Sequence, residues 1–250
     1  MSNLLRKIIR PIFGRLLPRI PYPVIKGPLK GTKFILGTHG GEGGGATVYF
    51  NMVERLQTQS FVEIIKPGDI IFDVGANVGY YTALGSKLTG AQGKVYSFEP
   101  LARNISYLYR HVKINKLNNV TIIPSACSDS LSILSFIESS NTAMGRLESS
   151  EISNTSETKT TIIPTVTLDA IADKIGRFPN VLKIDVEGAE VAVLKGAEKI
   201  ISVAKPAIFL SVHSDQLRTT CLNYLRTFGY EFTPLQEDAH NSMEFLCIKK

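Results

Sequence analysis

The most regular alternation of apolar and polar positions runs from Phe61 to Tyr230. Short apolar runs bounded by turn residues alternate with stretches whose apolar residues recur at helical spacing, a pattern that predicts βαβ units and a parallel sheet. Lys66-Pro67-Gly68-Asp69 is a turn leading into a strand at 70–74. A helix at about 78–89, a strand at 94–99, a helix at about 103–114 and a strand at 120–123 follow. Residues 139–161 hold eleven Ser/Thr in 23 and read as a solvated loop. A strand at 161–166 runs into Thr167-Leu168-Asp169, a helix start with Thr167 as its cap. Strands at 181–185 and 206–213 each precede a helix, near 189–199 and 215–227, and strands at 230–233 and 244–248 close a hairpin.

Ahead of this region the pattern changes. Leu4, Leu5, Ile8, Ile9, Ile12, Phe13, Leu16 and Leu17 fall in pairs four apart with basic residues between them, broken at Pro11. Two readings stand: a helical segment lying in a membrane interface with Arg and Lys on anionic headgroups, or one packed on the protein or a partner. Pro21-Tyr22-Pro23 is a linker signal, and residues 37–45 carry six glycines around His39 and Glu42, a loop or a lid. Residues 1–55 are therefore an extension with a glycine-rich loop, and residues 56–250 are the catalytic-type domain.

Composition narrows the class. The 250 residues, 44% hydrophobic, suffice for one sizeable core. Cys127, Cys221 and Cys247 form neither a disulfide framework nor a zinc motif, which suits a reducing, cytoplasmic compartment. No run of about 18 apolar residues predicts a spanning helix. The net charge of +6 is carried by the first 41 residues, with eight Lys/Arg and no acid. The remainder holds 20 basic and 22 acidic residues, net −2, which disfavours a nucleic-acid groove.

The chemistry begins at Asp73-Val74-Gly75-Ala76-Asn77-Val78-Gly79, a loop between a strand and a helix. A pyrophosphate-binding loop needs G-x-G-x-x-G, whereas Asn77 and Tyr80 occupy the second and third glycine positions here. Asp73 would repel a pyrophosphate and suits a cationic ligand such as S-adenosylmethionine. Gly75 would let the backbone approach the methionine portion, Gly79 would let the helix pack close to it, and Asn77 can supply an amide or adopt φ > 0. Glu99, twenty residues past Gly79, would accept hydrogen bonds from both ribose hydroxyls, with Pro100 setting the chain direction and Ser125-Ala126 beside the adenine.

Together with Thr167-Leu168-Asp169 and Lys183-Ile184-Asp185-Val186-Glu187-Gly188-Ala189-Glu190, these motifs resemble the FkbM family of S-adenosylmethionine-dependent methyltransferases. The resemblance implies a class I methyltransferase (Rossmann-like) α/β fold, a mostly parallel seven-stranded sheet with helices on both faces and an antiparallel last strand. It implies Tyr80 at the cofactor loop and O-methylation of a hydroxyl on a saccharide, glycolipid or related product. One departure is visible: Leu210-Ser211-Val212-His213 stands where the family carries a Glu.

Methyl transfer from a sulfonium to a hydroxyl needs alignment and a base. Lys183, Asp185 and Glu187 alternate along one strand face if the strand extends that far, at the carboxyl edge where open sheets bind ligands. Asp185 or Glu187 would bind or deprotonate the acceptor, Lys183 would need a carboxylate partner, and His213 is a further candidate base. Glu190 reads as a first-turn acid favouring the helix dipole. No ligand spacing supports a metal, so none is expected. The competing readings are a nucleic-acid methyltransferase, disfavoured because no Asn/Asp-Pro-Pro-Tyr segment is present, and a non-catalytic cofactor-binding module.

Overall fold

The computed structural model describes residues 18–38, 46–138, 145–147 and 159–249. A hairpin of β1 (Pro21–Pro23) and β2 (Lys33–Ile35) precedes α1 (Arg55–Ile64). Then β3 (Ile70–Val74), α2 (Tyr80–Thr89), β4 (Lys94–Phe98), α3 (Ala102–Ile114) and β5 (Val120–Ile123) alternate. A second, four-stranded sheet follows, made of β6 (Ala126–Cys127), β7 (Ser132–Glu138), β8 (Gly145–Leu147) and β9 (Lys159–Val166). The alternation resumes with α4 (Leu168–Ile175), β10 (Val181–Ile184), α5 (Glu190–Lys195), β11 (Ala207–Ser211) and α6 (Asp215–Thr227), and ends on β12 (Tyr230–Pro234) and β13 (Glu244–Lys249).

The main sheet has seven strands in the order β12-β13-β11-β10-β3-β4-β5. β13 runs antiparallel to both neighbours, and every other pairing is parallel. The chain lays down β3, β4 and β5 in one direction and then returns to the opposite side of β3 with β10. The order therefore reverses between β3 and β10, which opens a crevice at their carboxyl ends.

Both faces of this sheet are covered, which explains the nearly continuous apolar strands. Ile70, Phe72, Val74, Leu182, Ile184, Ile208 and Leu210 pack on one side with Val193 and Leu194 of α5 and Cys221 and Leu225 of α6. Ile71, Val95, Val181 and Phe209 face the other side with Phe61, Tyr81 and Leu84. Leu29, Phe34, Val48 and Tyr49 join this second cluster, so the described part of residues 1–55 shares the core of the main sheet. Phe34 stacks on Tyr80 with centroids 6.4 Å apart and meets His111 edge-on at 5.0 Å.

Local signals explain several boundaries. Thr167 caps α4 by accepting from the Ala170 amide at 3.1 Å, and Gly176 ends it at φ 69. Ser214 caps α6 by accepting from Leu217 at 3.1 Å. Other expectations need correction. Pro21-Tyr22-Pro23 is strand β1, with Tyr22 opposite Phe34, because an edge strand tolerates proline. Within the expected loop at 139–161, residues 145–147 and 159–161 are strand, both paired with β7; the rest lies outside the described residues. The helix near 189–199 stops at Lys195 and is followed by a π-helical turn, Ile200–Ala204. The amphipathic segment up to residue 17 and the glycine-rich stretch 39–45 lie outside the described residues. Among those described, no helix is long and apolar enough to cross a membrane.

Candidate functional site

The loop after β3 and the end of β10 meet at backbone level. A β-carbon at Gly75 would overlap the Asp185 carbonyl oxygen, and Gly75 sits at φ 80. The Asp185 amide donates to the Val74 carbonyl at 3.0 Å, and the Gly75 amide donates to Phe98 at 3.0 Å. The protein's own chain thus makes a close approach at Gly75 that only glycine admits. Gly79 is likewise demanded by packing, since its β-carbon would lie 2.5 Å from a Leu108 methyl and its φ is 97.

Beside this contact lies a polar crevice. Asn77 takes φ 51, which a short polar side chain tolerates, and its amide donates to Glu99 Oε2 at 2.8 Å. Glu99 Oε1 accepts from the Leu101 amide at 2.9 Å and from Asn104 at 3.3 Å. A carboxylate offers about four acceptor positions, so one remains for a ligand hydroxyl rather than the two expected. Burial raises the Glu99 carboxyl above its ordinary range. Two buried polar atoms here, Asn77 Oδ1 and Ser125 Oγ, have no partner among the described residues. Buried polar atoms normally pair, so an acid with a free lone pair flanked by two unfilled polar atoms fits a nucleoside in this crevice. Pro100 and Ala126 follow Glu99 and Ser125 directly in the chain, half-buried and buried respectively.

Asp73 and Tyr80 are both buried, and Asp73 Oδ1, like Asn77 Oδ1, has no partner among the described residues. Asp73 is fully buried in β3 and accepts from Thr82 Oγ1 at 2.6 Å. In register with Lys183 on one side and Ser97 on the other, it belongs to a polar rank across three strands beneath the crevice. Burial raises its carboxyl, and only the nearby Lys183 charge and the Thr82 hydrogen bond oppose the rise. Tyr80 is a core residue between Phe34 and Tyr81.

The second half of the site is assembled by the ends of β10 and β11. The Lys183 ammonium, almost wholly buried, donates to Asp185 Oδ2 at 2.9 Å and lies 5.0 Å from the Tyr81 ring centroid. Strand β10 stops at Ile184, so Glu187 does not continue its alternation. A left-handed turn through Glu187 at φ 54 and Gly188 at φ 113 swings the Glu187 carboxylate back instead. There His213 Nε2 lies 3.3 Å from Glu187 Oε2 and 3.5 Å from Asp185 Oδ1. Asp185, Glu187 and His213 keep 28%, 33% and 30% of their side-chain exposure, so the cluster opens to solvent.

Glu190 is the residue that sequence reasoning misplaces. It does start α5, but it is fully buried, and its Oε1 accepts from both the Gly188 amide at 3.0 Å and His213 Nδ1 at 2.6 Å. It therefore orients the imidazole. Two further acids escape sequence reasoning. Glu54 accepts from Tyr81 Oη at 2.8 Å and from Gln57 at 2.6 Å, and burial with the Glu54 and Asp185 charges pushes Glu244 up to about 7. Neither lies in a motif; strand pairing and helix packing alone deliver them.

Charge follows geometry. Burial alone would lower the Lys183 ammonium, but Asp185, Asp73 and Glu54 together hold it above the ordinary lysine range. Burial alone would raise Asp185; Lys183 and then His213 hold it below the usual carboxylate range. Burial raises Glu187. Burial would lower His213, but the Glu190 hydrogen bond and the Glu187 and Asp185 charges raise it. Although no metal spacing exists in the sequence, Asp185, Glu187 and His213 offer ligand-type atoms within 4.8 Å of one another.

Comparison with known proteins identifies the family and the fold. A family profile described as the methyltransferase FkbM domain matches residues 73–232. The probable cobalt-precorrin-6B C(15)-methyltransferase (decarboxylating) of Saccharolobus solfataricus is 23% identical over 150 residues, 57% of this chain and 75% of that protein. Among solved structures, the methyltransferase FkbM of Methylobacillus flagellatus KT superposes with a TM-score of 0.52 at 19% identity, over 81% of this chain. This chain spans only about half of that protein, 53% of its length. The precorrin-6y C5,15-methyltransferase of Geobacter metallireducens GS-15 gives 0.50 at 13% identity, over 79% of this chain and 87% of that one. At these identities the structural likeness speaks for the fold, a class I methyltransferase-like α/β fold.

Proposed function

The chain belongs to the FkbM methyltransferase family, and we propose that it transfers the methyl group to a hydroxyl of a saccharide, glycolipid or related small molecule. Its cofactor is S-adenosylmethionine, which supplies an electrophilic methyl group on a sulfonium when bound. Glu99, Asn77 and Ser125 would hold its nucleoside part, by the free lone pair and the two unfilled polar atoms described above.

One observation carries the hydroxyl reading. The Asp185–Glu187–His213 cluster stands at the carboxyl edge of β10 and β11, next to the loop that borders the nucleoside crevice. A sugar hydroxyl is a poor nucleophile at neutral pH, and a base within hydrogen-bond reach raises its reactivity. In this cluster the Asp185 and Glu187 carboxylates and the His213 imidazole orient the hydroxyl and favour loss of its proton. Lys183 fixes Asp185, and Glu190 fixes the ring of His213. Such positioning is most of what an in-line displacement requires.

Residues 1–20 add a proposed location. Their paired apolar positions and basic residues suit the anionic inner face of a membrane, where glycolipid acceptors reside. Removing residues 1–20 should abolish co-sedimentation with anionic vesicles; unchanged sedimentation would remove this part of the reading.

The test of the activity is a labelled S-adenosylmethionine assay against a panel of saccharides, glycolipids and structured RNAs. Transfer to a hydroxyl acceptor that Glu187→Gln and His213→Asn suppress supports the reading. Transfer to an RNA base or to carbon would replace it. Cofactor binding without transfer to any acceptor in an extended panel would favour a binding module.

A further inference from the structure

The geometry points to a divalent-cation site: Asp185 Oδ1, Glu187 Oε2 and His213 Nε2 bind one Mg²⁺ or Mn²⁺ on which two oxygens of the acceptor converge. This rests on the hydroxyl-transfer reading for its purpose, but not for its existence.

The donors come from three separate places: the end of β10, the left-handed turn after it and the end of β11. Their ligand atoms nevertheless lie within 4.8 Å of one another, with Nε2 at 3.3 Å and 3.5 Å from the two oxygens. Adjacent ligands on an octahedral ion are ~3.0–3.4 Å apart when metal–oxygen distances run from those of Mg²⁺ to those of Ca²⁺.

The surroundings orient each donor for that ion. Glu190 Oε1, which already accepts from the Gly188 amide, engages His213 Nδ1 at 2.6 Å. An acceptor there puts the ring proton on Nδ1 and leaves the Nε2 lone pair facing the two carboxylates, the carboxylate–histidine–metal arrangement. Lys183 occupies Asp185 Oδ2 at 2.9 Å and leaves Oδ1 turned toward the ring.

An independent observation is the unmet charge. Glu190 is fully buried, packed against His213, and its second oxygen, Oε2, has no partner among the described residues. Three carboxyl groups, of Asp185, Glu187 and Glu190, surround the imidazole, and the Lys183 ammonium is the cation paired with one of them. A lone pair directed at two carboxylate oxygens is repulsive unless a cation lies between them. Two carboxylate oxygens and one imidazole nitrogen, with the outer side open, suit an oxygen-preferring ion that keeps free positions.

Those positions would take adjacent oxygens of the acceptor. The cation lowers the proton affinity of the hydroxyl it touches and fixes its direction. As the new O–CH₃ bond forms, the S–CH₃ bond breaks and its electron pair stays on sulfur, leaving a neutral thioether. The hydroxyl proton leaves to water. Vicinal diols, as in sugars, should therefore be better acceptors than isolated alcohols.

The test uses the full chain, stripped with EDTA and titrated with Mn²⁺ alone, bound ion being read by electron paramagnetic resonance. One Mn²⁺ per chain is expected, competed by Mg²⁺, with affinity at least tenfold weaker in Glu187→Gln and in His213→Asn. Glu187→Gly, which retains the left-handed turn, replaces Glu187→Gln if that variant is not folded by circular dichroism. No saturable Mn²⁺ binding, or binding unchanged in folded variants at both positions, overturns the proposal. S-adenosylmethionine binding is measured on the same samples. Cofactor binding without Mn²⁺ binding overturns the cation site alone; Mn²⁺ binding sensitive to these variants, with no hydroxyl methylated, supports the cation site and overturns the hydroxyl reading.

Discussion

Gly75 and Asp185, 110 residues apart in sequence, touch through their backbones: no β-carbon fits at Gly75 because the Asp185 carbonyl occupies its place. The glycine loop and the carboxylate cluster are therefore one unit. Gly75→Ala should cost about 2–4 kcal/mol, from overpacking and from a left-handed φ. Cofactor binding and transfer should fall with it. Urea unfolding alongside calorimetric cofactor binding checks this; a variant of wild-type stability that merely fails to bind cofactor would contradict it.

Asn77 offers the opposite separation. Its φ of 51 is free for glycine, while its Oδ1 is buried without a partner among the described residues. Asn77→Gly should leave stability within about 1 kcal/mol. It should weaken S-adenosylmethionine binding about tenfold, the worth of about one hydrogen bond. Unchanged affinity would take Asn77 out of the cofactor site.

Lys183 depends on Asp185. The lysine is 3% exposed and its partner 28%, so Asp185→Asn leaves a buried ammonium with only the more distant Asp73 and Glu54 charges. A loss of about 2–3 kcal/mol is expected, less than for a fully buried pair. Adding Lys183→Met should recover part of it, with a coupling of about 1 kcal/mol or more in a double-mutant cycle. Strict additivity would mean that the pair contributes nothing.

Glu190 holds His213 by hydrogen bond and charge, both of which raise the imidazole. In metal-free Glu190→Gln the His213 pKa should fall relative to wild type, followed by NMR of the ring protons. A rise, or no change, would remove Glu190 as the positioning residue.

His111 gives a pH signature of the fold itself. The Val78 carbonyl can only accept and the Ile35 amide can only donate, so Nδ1, at 2.7 Å, carries the proton and Nε2, at 3.0 Å, accepts. Burial lowers this imidazole below its ordinary value. The folded protein therefore holds the neutral ring. Its contribution is complete above the unfolded value of about 6.5 and is lost as pH falls through the lower folded value. Wild type should lose urea stability between pH 7 and pH 5 more steeply than His111→Gln. Parallel slopes would refute this account.

Local sequence pattern determines much of this protein. The strand–loop–helix at 70–89, Glu99 at the tip of the next strand, the Thr167 cap and the order of alternation all follow from local spacing and from which side chains a covered parallel strand can bury. Residue chemistry alone also marks out Lys183, Asp185, Glu187 and His213. What it does not carry is direction and partnership. Asp73 reads as a ligand-facing acid but points into a buried polar rank, because strand register sets it between Lys183 and Ser97. Glu187 joins its cluster by a left-handed turn rather than by strand alternation, and Glu190 looks like a dipole acid until β11 brings His213 to it. Glu54 and Glu244 reach the site only because α1 and β13 pack there, contacts with no trace in local pattern. Sequence spacing encodes which elements form and which faces they bury; the reversal of strand order at β3 and β10 and the packing around it are long-range properties, and they set which charges face one another.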